Sequence, residues 1–130
     1  MGLESFTANS SNDAFGKQAF AEGYLTQAIG DESHTEGMST IANGKCQHVQ
    51  GKYNIPDVID NDQNGTYAHI VGNGTGDNNR SNAHTLDWDG HAWYAGRIAA
   101  SEIKIGNTTF TEDQLIKILR FIDTINMGGN

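Results

Sequence analysis

A glycine returns every seven residues through the first third of the chain, at Gly16, Gly23, Gly30, Gly37, Gly44 and Gly51. A short fixed period of this kind calls for a stacked-repeat architecture, in which each unit buries its surface against the next. A helix is excluded, because each of these glycines would cost it about 1 kcal/mol. Two residues before each glycine stand Ala14, Ala21, Ala28, Thr35, Ala42 and Val49. Four before stand Asn12, Ala19, Thr26, Ser33, Thr40 and Gln47. Strand side chains alternate with period two, so both positions share one side of a short strand. Most are small, which suits coils stacked closely around a narrow interior. Glycine then supplies the turn, where positive φ or close backbone approach is cheap.

A second period of 14 residues is superimposed. The outward pairs before Gly16, Gly30 and Gly44 are Asp13/Phe15, Gln27/Ile29 and Ile41/Asn43, each with one large apolar residue. Those before Gly23, Gly37 and Gly51 are Phe20/Glu22, His34/Glu36 and His48/Gln50, more polar apart from Phe20. One coil is therefore two heptads, with one apolar and one wet outer face. An apolar face running along a stack is an interaction surface. Its expected partner is another copy of the chain, with Phe15, Ile29 and Ile41 in the contact.

The rest of the chain divides around this repeat. Residues 1–11 read as an irregular lead-in and 12–54 as the repeat. Pro56 and the run Asp60-Asn61-Asp62-Gln63-Asn64-Gly65 interrupt it, so 55–66 reads as an inserted loop. The stack resumes at Tyr67, because Gly65 and Gly72 keep the register and His69-Ile70-Val71-Gly72 repeats the spacing of His48 to Gly51. A polar loop, 73–82, closes that last coil. Two β-type runs around Asp89-Gly90 predict a hairpin inside a small β region, 83–110. Thr111-Glu112-Asp113-Gln114 is a capping box opening a helix over 111–127. Leu115, Ile118, Ile122 and Ile125 follow at spacings of three and four. Leu115 and Ile122 at a, with Ile118 and Ile125 at d, favour trimers or tetramers. The fold expected is all-β with a short C-terminal helix: a glycine/alanine heptad-repeat parallel β-roll, a hairpin-rich region and a helical clamp, intertwined as a homotrimer.

Composition narrows the partners. Eight basic against sixteen acidic residues leave a net charge of -8, which argues against nucleic acid. Mean hydropathy is -0.54, low for a monomer building its own core, so burial shared between chains is expected. No apolar stretch approaches a membrane span. Met1 to Ser10 has neither the basic region nor the apolar core of a signal peptide. Cys46, the one cysteine, reads as a free thiol.

The S/T-x-A-x-G units of 12–54 resemble the head repeats of trimeric autotransporter adhesins, which form left-handed parallel β-rolls associating in threes. The stretches HVQGKYNI (48–55), YAHIVGNGT (67–75) and RSNAHTLDWDGHAWYAG (80–96) resemble a recurrent module of phage and prophage structural proteins of Gram-positive bacteria. IGNTTFTEDQLIKIL (105–119) is similar to the short C-terminal segment of such fibres. The resemblance implies a virion fibre protein, of head or tail, that contacts other virion proteins and attaches to a bacterial surface receptor. A bacterial trimeric surface adhesin, located on the cell surface, is the first alternative. A fibre-associated enzyme or self-cleaving chaperone is the second.

Candidate sites are few. Trp88, Trp93 and Tyr94 form the one dense aromatic group, and a core role for one tryptophan and an interface role for the other is the favoured expectation. With His91 they are also the candidate receptor or glycan contacts. Asp60-x-Asp62-x-Asn64-Gly65 matches the first half of a calcium loop, but Val71 stands where a bidentate acid belongs, so an Asx-rich turn competes. His34, His48 and His69 each lie three before a glycine, and outward stacking is expected of them before metal binding. No G-x-S-x-G elbow and no P-loop lysine is present, so neither catalysis nor a cofactor is expected.

Overall fold

The computed structural model describes residues 1–60 and 63–128. The described chain is mostly β-sheet with one C-terminal helix, and it separates into two compact units, Met1–Gly96 and Arg97–Asn130.

In the first unit the chain passes back and forth between two parallel sheets. Its strands are β1 (Phe6–Ala8), β2 (Asp13–Ala14), β3 (Phe20–Glu22), β4 (Gln27–Ala28), β5 (His34–Thr35), β6 (Ile41–Ala42) and β7 (His48–Lys52). The odd-numbered strands lie side by side in one sheet and the even-numbered strands in the other. Residues 14 apart pair, as in Phe20 with His34 and Ala28 with Ala42. The interior is the small-residue set read from the sequence: Ala14, Ala21, Ala28, Ala42, Thr26 and Thr40 are all fully buried. The buried hydroxyls of Thr26, Ser33 and Thr40 reach back to the preceding corner. Ser33 donates to the Gly30 carbonyl at 2.7 Å and Thr40 to that of Glu36 at 3.0 Å.

The lead-in is more ordered than expected. β1 pairs with β3 in parallel, Phe6 opposite Phe20, and Gly2 donates to the Ala14 carbonyl at 2.8 Å. The heptad therefore runs back through Asn9, which sits at φ 72° in a glycine's place. Asparagine tolerates that left-handed region better than most side chains. The glycines also divide by role. Gly23, Gly37 and Gly51 have φ between 95° and 107°. Gly16, Gly30 and Gly44 do not, and are glycine because a Cβ would strike backbone: that of Gly30 and of Gly44, 14 residues on, for the first two, and the Asn64 carbonyl of the 55–66 loop for Gly44. Positive φ recurs two residues after each glycine, at Gln18, Leu25, Glu32, Ser39, Cys46 and Tyr53, with values of 44–58°.

β8 (Tyr67–Asn73) pairs with β7 in parallel, His69 opposite His48. β9 (Asn82–Asp87) and β10 (Ala92–Tyr94) then continue the same sheet antiparallel. The 82–94 hairpin thus belongs to the first unit and does not form a region with residues up to 110. The other sheet meets Asn54 beyond β6. Its fully buried amide accepts from Ile41 N at 2.8 Å and donates to Ile41 O at 3.0 Å, standing in for a further strand.

The second unit holds an antiparallel pair, β11 (Glu102–Ile105) and β12 (Thr108–Thr111), and the helix α1 (Glu112–Gly128). The capping box closes reciprocally: Thr111 N donates to Gln114 Oε1 at 3.0 Å, and Gln114 N to Thr111 Oγ1 at 3.4 Å. No residue of α1 is buried within the chain.

Candidate functional site

A cavity of about 890 Å³ opens in the first unit between the 55–66 loop and the β9–β10 hairpin. Ile55, Val58, Tyr67 and Trp93 give it apolar walls, while Asn82, Asp87 and His91 supply polar atoms. Such a mixture suits a ligand with a flat apolar face and hydroxyls at its edge.

Asp57 ties the loop side down. It is 6 % exposed, and its Oδ2 accepts from Thr66 N at 2.8 Å, Tyr67 N at 2.9 Å and Gln47 Nε2 at 3.0 Å. Its Oδ1 accepts from Val58 N at 2.8 Å. One carboxylate thus fastens the loop to the strand that follows it and to the stack interior. Asp57→Ala strands several buried donors, so it should cost about 2–4 kcal/mol of stability, measured by denaturant melts.

Asp87 organises the hairpin side. Its Oδ1 accepts from His91 N at 2.8 Å and Asp89 N at 3.0 Å, and its Oδ2 lies 2.9 Å from His91 Nδ1. The partner of Asp87 is therefore His91, while His84 Nδ1 lies 3.0 Å from the Trp93 carbonyl oxygen. Hydrogen bonds from the His91 backbone, then from its ring, hold the Asp87 carboxyl below its ordinary value. The same ring bond, then the charge of Asp87, raises the His91 imidazole above 6.5. A raised histidine stabilises the turn below its ordinary pKa and loses that contribution as pH rises through the raised value. A lowered carboxylate contributes above its ordinary pKa and is lost on acidification through the lowered value. Turn order should be greatest between about pH 4 and 6.5. An NMR titration should place His91 above 6.5, and Asp87→Asn should bring it down.

The expected receptor contacts are not one group. Trp93 and His91 line the cavity. Tyr94, next along β10, stacks on His84 at 4.5 Å, and Trp88 Nε1 lies 3.4 Å from the Asn64 carbonyl oxygen. Trp88 and Trp93 are 48 % and 54 % exposed, so neither is core within the chain. Phe15 and Ile29 are exposed and Ile41 is half-buried, all on or beside the smaller parallel sheet. Leu115, Ile118, Ile122 and Ile125 are exposed on α1. Of the calcium-loop residues, Asp62 lies outside the described residues. Asn64 offers its backbone carbonyl to Trp88, and the Asp60 carbonyl accepts from Gln63 N at 3.3 Å.

The sequence reading missed the extent of a ring column on the larger sheet. Phe6, Phe20, His34, His48, His69, His84 and Tyr94 follow one another in contact, with centroids 4.5–5.7 Å apart; most pairs are stacked, Phe20 and His34 are tilted, and His69 meets His84 edge to face. The 14-residue spacing from Phe6 to Phe20, His34 and His48 was the available signal. Beside this column Glu22 Oε1 lies 3.2 Å from His34 Nε2, and Glu36 Oε1 lies 3.6 Å from His48 Nε2. Burial, then the neighbouring His48 and His84, pushes the His69 imidazole below its ordinary value. Cys46 is exposed and free, and its hydrogen bond to Glu32 at 3.2 Å raises the thiol, which disfavours the reactive thiolate.

No helix among the described residues is long and apolar enough to cross a membrane. The chain has no significant match among family models, curated proteins or solved structures.

Proposed function

We propose that the chain is a section of a homotrimeric fibre of a phage or phage-like particle, presenting a bacterial attachment site in each copy. In this reading the two parallel sheets are a β-roll stalk, the cavity beside Trp93 is the attachment site, and α1 is the trimer clamp. The role is binding and display, without turnover or cofactor.

The observation that carries the oligomer is α1. Seventeen residues form an amphipathic helix, yet none is buried, and Leu119 and Phe121 are more than 60 % exposed. A helix of this length is marginal in water without tertiary packing. Leaving that stripe wet forgoes roughly 1.5–3 kcal/mol for each large side chain. Phe15 and Ile29 repeat the pattern on the stalk. The attachment role rests on the resemblance of 48–96 to fibre modules and on Trp93 beside polar side chains, an arrangement suited to stacking on a sugar ring.

Light scattering should give three times the 14.1 kDa chain, persisting on dilution. The labelled protein should then bind whole cells within a Gram-positive panel. Trp93→Ala should weaken that binding about tenfold or more while leaving the mass unchanged, since three linked sites multiply a modest loss at each. A monomer would sink the fibre; unaltered cell binding by the Trp93 variant would sink the cavity as the attachment site.

A further inference from the structure

We infer that Glu22, His34 and Glu36 form a binding site for a divalent transition-metal ion of the zinc type on the outer face of the larger sheet. The pairing register creates it. Phe20 opposes His34 and His34 opposes His48, so the residues two further along, Glu22 and Glu36, fall beside one another on the same face. One ligating atom from each of Glu22, His34 and Glu36 lies within 4.8 Å of the other two, and all three residues are half-buried. Donors around a tetrahedral zinc are about 3.3–3.6 Å apart, given metal–ligand bonds of about 2.0–2.2 Å. Glu22 Oε1 and His34 Nε2, at 3.2 Å, are close to that separation. Glu36 needs only a side-chain adjustment to complete it.

Electrostatics favours an ion there. Like charges on neighbouring strands repel, and the half-buried setting weakens solvent screening. Two carboxylates and one neutral imidazole bring a divalent ion to charge balance. An imidazole donor favours zinc, nickel or copper over calcium and magnesium, which prefer oxygen alone. His48 backs the Glu36 carboxylate. Its Nε2 is buried without a hydrogen-bond partner and lies 3.6 Å from Glu36 Oε1, placed to orient that carboxylate. The remaining coordination position is left to water. The site lies within one chain, so it stands whether or not three chains assemble.

Asp87, Asp89 and His91 are a second cluster of metal-binding residue types, and the test must separate the two. The untagged 130-residue chain would be titrated calorimetrically with zinc chloride at about pH 7.5. The expected result is one zinc per chain, with affinity lowered at least tenfold by Glu36→Gln and by His34→Gln, and unchanged by Asp89→Asn. Zinc should raise the melting temperature of the wild type and of Asp89→Asn, but not of Glu36→Gln. Without metal, Glu36→Gln should melt at or above the wild type, because it relieves the carboxylate repulsion; its fold is thereby checked even if His34→Gln fails to fold. No zinc binding by the wild type, or equal binding by Glu36→Gln, would overturn the site.

Discussion

Gly37→Ala is expected to cost the first unit at least about 3 kcal/mol, lowering its melting temperature by roughly 10–20 °C. Two effects add. Gly37 sits at φ 104°, where an L side chain is strained by about 1–2 kcal/mol. Its new Cβ would also fall on the carbonyl oxygen of Gly51 in the next coil. That obstacle is backbone held at the end of β7, so relief requires prising neighbouring coils apart. The loss includes the bond from Met38 N to Gly51 O, 2.9 Å long. Gly76→Ala is the control: nothing lies within 4 Å of its added Cβ, and a change within about 0.5 kcal/mol is expected. The comparison needs one fixed protein concentration, because assembly makes melting concentration-dependent. Equal melting of the two variants would show that the coils do not approach as closely as the 14-residue pairing requires.

Ile122→Asp is expected to dissociate the proposed trimer into monomers at micromolar concentration. Ile122 is 46 % exposed within the chain, in the middle of the apolar stripe of α1. Around a threefold axis the change would remove three buried side chains, each contributing about 1.5–3 kcal/mol. It would also gather three carboxylates where water is scarce, at a further cost. Ile122→Leu keeps the volume and should keep the mass. Light scattering of both variants decides the matter: a trimeric Ile122→Asp would remove α1 from the interface and leave Phe15, Ile29 and Ile41 to hold the chains.

The pairing of the heptads in two sheets was legible because the interior has so little choice. Ala14, Ala21, Ala28 and Ala42 are small at two residues before glycine, and burial follows from strand alternation alone. The first coil was missed because Asn9 replaces the marker glycine, although Ser5-x-Thr7-x-Asn9 keeps the rest of the pattern. The regular positive φ at Gln18, Leu25 and their successors was hidden for another reason. Those residues carry no common chemistry, and the conformation is imposed by the corner. The hairpin was visible in Asp89-Gly90, but its attachment to β8 is a long-range pairing that no local signal announces. Of the cavity, Trp93 and His91 were anticipated. Asp57 was not, since a lone aspartate beside Pro56 reads as loop until its four donors are seen around it.

The alternation of the heptads between two sheets restricts how such a chain can change length. Each 14 residues advance the stack by one strand spacing, about 4.8 Å. Adding or deleting 14 residues returns every later side chain to its own face. A change of seven would carry it to the opposite sheet: a glutamate would arrive where Ile29 now lies and a histidine where Ile41 now lies, and the ring column would be broken at that point. Length in this architecture is therefore adjustable only in whole coils, and a half-coil change amounts to exchanging one surface for the other.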